Sequence, residues 1–315
     1  MGTRHEKSLN GKYKLLIATL VFGGILFAAM MLLKGVDMAV LSPKGVIAEK
    51  ERNLIIVAAS LCMIVVVPVF VMLFGIAWRY RASNTKARYE PNWDHNRLLE
   101  TIWWGVPCLI IIVLGTMTWK ATHELDPYRP LASNVAPIKV QVVALEWKWL
   151  FIYPDQHIAT VNYLQIPVNT PVNFQITADA PMNSFWVPSL GGQVYAMSGM
   201  STQLHLMASE VGEYKGSSAN ISGEGFSGMN FTVKASSETD FNGWVKAAQV
   251  SPNVLGATEY DALAEKSKDN PPTAYILTKA DLYDTIVMKY MAPATDSDTN
   301  TMKDMPGMTD MEMKY

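Results

Sequence analysis

Cysteine and charge are both scarce in this sequence. Only two cysteines occur in 315 residues, Cys62 and Cys108, and none follows them. A disulfide framework and a thiolate metal site are therefore excluded from everything after residue 108. A region of about 190 residues can still form a core without cross-links. Charged residues make up 17%, too few for a chain kept unfolded by its own solvation. A net charge of −2 and a pI near 6.2 carry no nucleic-acid signature. The five histidines, His5, His95, His123, His157 and His205, fall at no metal-ligand spacing. Neither a glycine-rich phosphate loop nor a nucleophile triad is present.

What the chain has in quantity is apolar surface, half of all residues. Three runs, 15–33, 53–78 and 98–119, meet the length of about 20 apolar residues that a bilayer span needs. At 1.5 Å per residue the second and third reach about 39 and 33 Å. Pro68 and Pro107 lie inside them, which neighbouring helices tolerate. The loop 79–97 carries Arg79, Arg81, Lys86, Arg88 and Arg97 against Glu90 and Asp94. Arg4, Lys7, Lys12 and Lys14 stand against Glu6 near the start. Both segments read as cytoplasmic by the excess of Lys and Arg, which leaves 35–52 and everything after 119 outside. The first run, 1–34, reads as a third helix or as a signal peptide, and both stay open. Its end, Leu33-Lys34-Gly35-Val36, offers no thiol for lipidation.

From residue 138 onward the pattern changes to short strands punctuated by prolines. The spacing predicts strands at 138–149, 161–166, 172–177, 184–187, 194–197, 203–207, 212–217 and 231–235. A series of this kind predicts a β-sandwich or barrel. After 239 helical spacing predicts helices at 240–249, 259–267 and 281–291. The tail 293–315 holds five methionines among Asp, Thr and Gly, a composition that predicts disorder. Domains are accordingly expected at 1–34 (signal or anchor), 35–52 (external), 53–78 (span), 79–97 (cytoplasmic loop), 98–119 (span), 120–238 (external sandwich), 239–292 (helical extension) and 293–315 (tail). The external part is acidic, with 13 Lys/Arg against 21 Asp/Glu from residue 120 on, which reads as solubility.

Two segments carry a more specific signal. Asn183-Ser184-Phe185-Trp186-Val187-Pro188 precedes by 35 residues a loop that begins at Ser218 and runs Ser-Ala-Asn-Ile-Ser-Gly-Glu-Gly-Phe-Ser-Gly-Met. Together they resemble the two ligand segments of the haem–copper oxidase subunit II family, whose binuclear CuA loop reads Cys-x-Glu-x-Cys-x3-His-x2-Met after an upstream histidine. Aligned on Pro188 and Met229, the ligand positions fall on Asn183, Ser218, Asn220, Ser222, Phe226 and Met229. Only the methionine is kept. Soft thiolate and imidazole ligands select copper at such a site, and serine, asparagine and phenylalanine supply neither. The chain is therefore similar to the copper-free branch of the family, subunit II of cytochrome bo-type ubiquinol oxidases.

The resemblance implies a membrane-anchored α+β fold: N-terminal transmembrane helices, a cupredoxin-like β-sandwich and a short helical C-terminal extension. It implies a complex in a bacterial inner membrane that oxidises ubiquinol, reduces oxygen to water and pumps protons. Haems and copper are then expected in a partner subunit I, with subunits III and IV as further partners. Membrane lipid surrounds the spans, and no cytochrome c donor and no redox centre on this chain are expected. Glu100 stands in a Glu-x2-Trp-x3-Pro setting that the family places at the mouth of a proton-uptake channel. An acid in a spanning helix is a functional hypothesis in its own right, although a glutamate at a helix start is also favoured by the dipole. The strand Glu146-Trp147-Lys148-Trp149 resembles a segment that receives electrons in CuA-bearing relatives. Without copper its aromatics are expected to pack the sandwich. Two other readings remain at this point: a CuA-bearing electron-transfer subunit, and a membrane-tethered binding module using the same sandwich.

Overall fold

The computed structural model describes residues 38–88, 92 and 94–291. The first apolar run and the methionine-rich tail lie outside the described residues. Residues 38–42 form a turn in which the N–H groups of Leu41 and Ser42 donate to Met38 C=O. From Pro43 the described residues form a single unit.

Helix α1 (Val46–Arg79) contains the apolar run 53–78 and starts seven residues before it. The early start has a packing cause. Ile47 and Ala48 are buried, and Gly45 pairs with Ala208 of the sandwich. A Cβ on Gly45 would meet Met207 O at 2.8 Å and Leu190 O at 2.9 Å, so only glycine permits the approach. Helix α2 (Arg97–Glu124) opens on Asn96, whose Oδ1 accepts from Leu99 N–H at 3.1 Å. Both helices are long and apolar enough to cross a membrane. Phe70, Phe74, Ile111 and Ile112 face outward, as expected where lipid or another helix replaces water. Cys62 and Cys108 are also exposed rather than packed within the chain, because each helix buries so little of itself against the other.

Among the described residues twelve strands build two sheets. They are β1 (Ile138–Leu145), β2 (Lys148–Tyr153), β3 (Ile158–Val161), β4 (Tyr163–Pro167), β5 (Val172–Ala178), β6 (Asn183–Trp186), β7 (Val194–Ala196), β8 (Thr202–Leu206), β9 (Gly212–Ser218), β10 (Asn230–Ser236), β11 (Val254–Leu255) and β12 (Thr273–Leu277). One sheet has the order β11-β12-β3-β2-β1-β5-β8 and the other β4-β10-β9-β6-β7. Pairing is antiparallel except for β1/β5, β4/β10 and β11/β12. Between the sheets, Trp149, Phe151, Phe174, Phe185 and Phe231 form an aromatic core, with Phe185 stacked on Phe231 at 5.3 Å between centroids. This is the cupredoxin-like sandwich that the sequence resemblance implies.

Two expectations needed correction. The single strand 138–149 is broken: Leu145 pairs with Lys148 across a two-residue turn, and Trp147 takes φ 62°. No Gly or Asn marks that turn, so the apolar run reads straight through it. The extension is also not purely helical. Its β12 pairs antiparallel with β3 and covers an edge that would otherwise expose unpaired backbone. Its helices are α3 (Glu238–Ala248), α4 (Ala257–Ala264) and α5 (Leu282–Lys289). Tyr260 of α4 and Leu282, Tyr283 and Ile286 of α5 pack on Val143, Leu145, Leu150 and Ile152. The larger sheet is thus buried on both faces, which is why β2 is apolar almost without interruption.

Candidate functional site

The two segments singled out in the sequence meet at one end of the sandwich. Strands β6 and β9 pair antiparallel with Phe185 opposite Ser218, which sets Asn183 and Ser218 side by side. Ser218 Oγ donates to Asn183 Oδ1 at 2.6 Å, and Asn183 Nδ2 donates to Pro181 O at 2.8 Å. Ser184 Oγ donates to Asn220 Oδ1 at 2.8 Å. Asn183, Ser184 and Ser218 are buried, Asn183 and Ser218 are turned on each other, and the Ser222 Oγ is buried without a hydrogen-bond partner among the described residues. The loop then tightens into a 3-10 turn, Phe226–Gly228, and Met229 closes it. Met229 N–H donates to Phe226 O at 3.0 Å, while its own C=O accepts from Ser218 N–H at 3.1 Å. Met229 is buried at 1% exposure.

Trp147 lies over this loop. Its indole N–H donates to Ser222 O at 3.2 Å. A Cβ on Gly225 would come within 2.2 Å of the ring, so glycine is required there. The segment 265–270 forms a strap over the other side. Lys266 and Lys268 sit 4.6 and 5.2 Å from the Trp147 ring centroid, and Lys268 pairs with Glu224 at 3.1 Å. The strap starts where Lys148, wholly buried, donates to Glu265 C=O at 2.7 Å and to Ser267 Oγ. A cation on the last carbonyls of α4 ends that helix at Ala264, three residues before the run predicted from sequence. Burial pushes the Lys148 ammonium below the ordinary lysine range, and the charges of Glu146 and Glu265 partly offset it.

These residues do not fit a copper pair. Amide and hydroxyl groups are neutral, hard donors, and Phe226 has no lone pair. Among the described residues no group of three His, Cys, Asp or Glu could hold a metal ion. His205 donates Nδ1–H to Pro127 O at 2.9 Å and fastens β8 to the segment after α2.

Glu100 lies far along the chain from the loop, in the first turn of α2. Its Oε1 accepts from Asn96 N–H at 3.2 Å, which completes a reciprocal cap with Asn96 Oδ1. The same oxygen lies 2.6 Å from His95 Nδ1. The sequence singled out Glu100 but not its histidine.

A second polar centre escaped the sequence reading altogether. Asp179, at the end of β5, accepts from Tyr260 Oη at 2.6 Å, from Lys289 Nζ at 2.8 and 3.1 Å, and from Tyr290 Oη. Burial alone would raise its carboxyl, but these donors outweigh burial and hold it below the ordinary carboxylate value. Burial and the same carboxylate push the Tyr290 hydroxyl up to about 12 and the Tyr260 hydroxyl higher still. The only hint in the sequence is a cluster of tyrosines in the extension.

With the geometry in hand, the comparisons with known proteins are direct. Residues 156–236 match the family described as cytochrome c oxidase subunit II, periplasmic domain. Residues 249–294 match the COX aromatic-rich motif, so sandwich and extension together define an oxidase subunit II class. A cytochrome bo(3) ubiquinol oxidase subunit 2 of Pseudomonas putida is 52% identical over 270 residues, covering 86% of each chain. A ubiquinol oxidase subunit 2 of Acetobacter aceti is 46% identical over 308 residues, covering 96% of this chain and 99% of that one. Among solved structures, the periplasmic domain of cytochrome oxidase subunit II from Bradyrhizobium japonicum is 18% identical. It covers 38% of this chain and 96% of that one, with a TM-score of 0.36. The chain belongs to the ubiquinol oxidase subunit 2 family of haem–copper oxidases.

Proposed function

We propose that this chain is the non-redox subunit of a proton-pumping ubiquinol oxidase in a bacterial inner membrane, with the sandwich on the periplasmic side. The complex couples quinol oxidation to reduction of oxygen to water. Subunit I carries the haems and copper, and subunits III and IV complete the assembly. The family supports a subunit I partner, and the two long apolar helices support membrane anchoring. The observation that carries the non-redox reading is the bond from Ser218 Oγ to Asn183 Oδ1. Two positions assigned by resemblance to copper ligands satisfy each other, and Trp147 and the strap close over the loop. The chain's part is then mechanical: α1 and α2 pack in the membrane, and the sandwich caps subunit I.

Glu100 is proposed to line the mouth of a proton-uptake path shared with subunit I. Its place in the first turn of α2 supports this, because the preceding loop is rich in arginine and reads as cytoplasmic. A half-exposed carboxylate there can meet water on one side and a partner helix on the other.

Oxygen uptake by the detergent-purified complex tests the reading, with ubiquinol and reduced cytochrome c as alternative donors and copper counted per haem. Uptake with quinol alone, and no copper beyond that of the oxygen-reducing centre, is the expected result. Uptake with cytochrome c, or two further coppers per complex, would overturn the non-redox role.

A further inference from the structure

Methionines come in pairs at one place on the outer domain. Met197-Ser-Gly-Met200, between β7 and β8, closes as a turn in which Met200 N–H donates to Met197 O at 3.3 Å. Met288-Lys-Tyr-Met291, at the end of α5, closes the same way, with Met291 N–H donating to Met288 O at 3.0 Å. The two turns lie against each other. Gly199, at φ 73°, approaches Tyr290 so closely that an added Cβ would meet the Tyr290 Cβ at 3.1 Å. Ser201 Oγ and Tyr283 Oη, 2.8 Å apart, fasten the same connection to α5. Core packing does not account for these side chains: Met200, Met288 and Met291 are 51%, 59% and 57% exposed, and Met197 is half-buried. Lys289, inside the second turn, is paired with Asp179. The spacing of three recurs in the sequence at Met302, Met305, Met308 and Met311, outside the described residues.

We propose that the facing turns 197–200 and 288–291 form a surface site that takes Cu(I) on thioether sulfurs, as exchangeable cargo and not as a redox centre. Soft thioethers select Cu(I) over harder cations. A thioether is neutral and has no proton to lose, so the site needs neither the thiolates nor the imidazoles that the loop 218–229 lacks. Methionine is unbranched, with three rotatable bonds, which lets sulfurs on two facing turns converge on one ion. Leucine fills a similar volume but has no lone pair to offer. The site uses none of the residues of the loop 218–229, and one exchangeable Cu(I) on thioethers leaves the non-redox reading of that loop as it stands.

The test uses the assembled oxidase, kept anaerobic with ascorbate and first stripped of exchangeable copper with bicinchoninate. That step also keeps this ion out of the copper counted per haem. Cu(I) is then titrated back in competition with bicinchoninate. Three complexes are compared: the unaltered one, one carrying Met200→Leu, Met288→Leu and Met291→Leu together, and one carrying Met302→Leu, Met305→Leu, Met308→Leu and Met311→Leu together. The first three positions are exposed, so leucine there leaves the core intact. The unaltered complex is expected to take up Cu(I), and the triple variant to bind it roughly 10- to 100-fold more weakly, with ubiquinol turnover unchanged. The variant altered at 302–311 is expected to keep the tighter binding, because both turns are intact. Unchanged Cu(I) affinity in the triple variant would overturn the site. So would loss of that affinity in the 302–311 variant alone, or no Cu(I) uptake by the unaltered complex. X-ray absorption of the reloaded ion gives a reading that needs no variant: sulfur neighbours alone are expected, and a nitrogen or oxygen shell would overturn thioether ligation.

Discussion

The loop 218–229 and the Asp179 centre lie on the same sandwich and satisfy buried polar atoms in opposite ways. At the loop, the buried groups that pair are neutral, Ser218 with Asn183 and Ser184 with Asn220, and the ion pair of Lys268 with Glu224 lies at the exposed surface. At Asp179 a carboxylate, almost fully buried, gathers an ammonium and two phenols from the extension. Neutral pairs contribute about 1 kcal/mol each, whereas bonds to a charged group contribute more and are dearer to break. The loop therefore holds its shape by sterics and the Trp147 cover. The extension is held by an electrostatic latch.

Breaking the latch should have the largest effect. Asp179→Ala removes the acceptor of Tyr260, Lys289 and Tyr290 and should destabilise the fold by about 2–4 kcal/mol, read as a lower midpoint in urea unfolding of the purified chain. The same group gives a pH dependence with a definite sign. Its carboxyl is held below the ordinary value, so the unfolded chain binds the proton more readily. The stabilisation is complete above the unfolded carboxylate pKa of about 3.9 and is lost as pH falls below it through the folded value. Asp179→Asn should lose that acid-sensitive portion while keeping the rest of the pH profile. An unchanged acid limb in Asp179→Asn would mean the latch contributes nothing.

Gly225→Ala probes the cover over the loop and should come second. Its Cβ would sit 2.2 Å from the Trp147 ring, so the indole must leave Ser222 O and the two lysines. The expected loss is about 1–3 kcal/mol, with a red shift of tryptophan emission as the ring meets water. Ser218→Ala is the mildest change. It leaves Asn183 Oδ1 buried without its donor and should reduce stability by about 1 kcal/mol, without altering ubiquinol turnover. A loss as large as that of Asp179→Ala would erase the contrast between the two regions.

The two regions were also unequally legible. The two segments stand out as a spacing pattern in the primary sequence, and the structure brings Asn183 of one onto Ser218 of the other. Most strands were readable because prolines and alternation bound them. The break at Glu146–Trp147 was not, because burial on both faces makes β1 and β2 a single apolar run. The Asp179 centre was invisible for a related reason. Its members, Asp179, Tyr260, Lys289 and Tyr290, are up to 111 residues apart and meet only when the extension folds across the larger sheet. His95 lay in plain view five residues before Glu100. What the sequence does not show is that its ring meets the carboxylate.

Gly45 has a consequence for the whole outer domain. Because the chain passes from its bridge with Ala208 into α1 without a linker, the helix is a shaft keyed into the sandwich. Its rotational phase, more than any tether length, governs which flank of the outer domain meets a neighbour. One residue added between Gly45 and the apolar run would turn that shaft by about 100°. Few positions so remote from any chemistry have as much authority over how a subunit is presented to its complex.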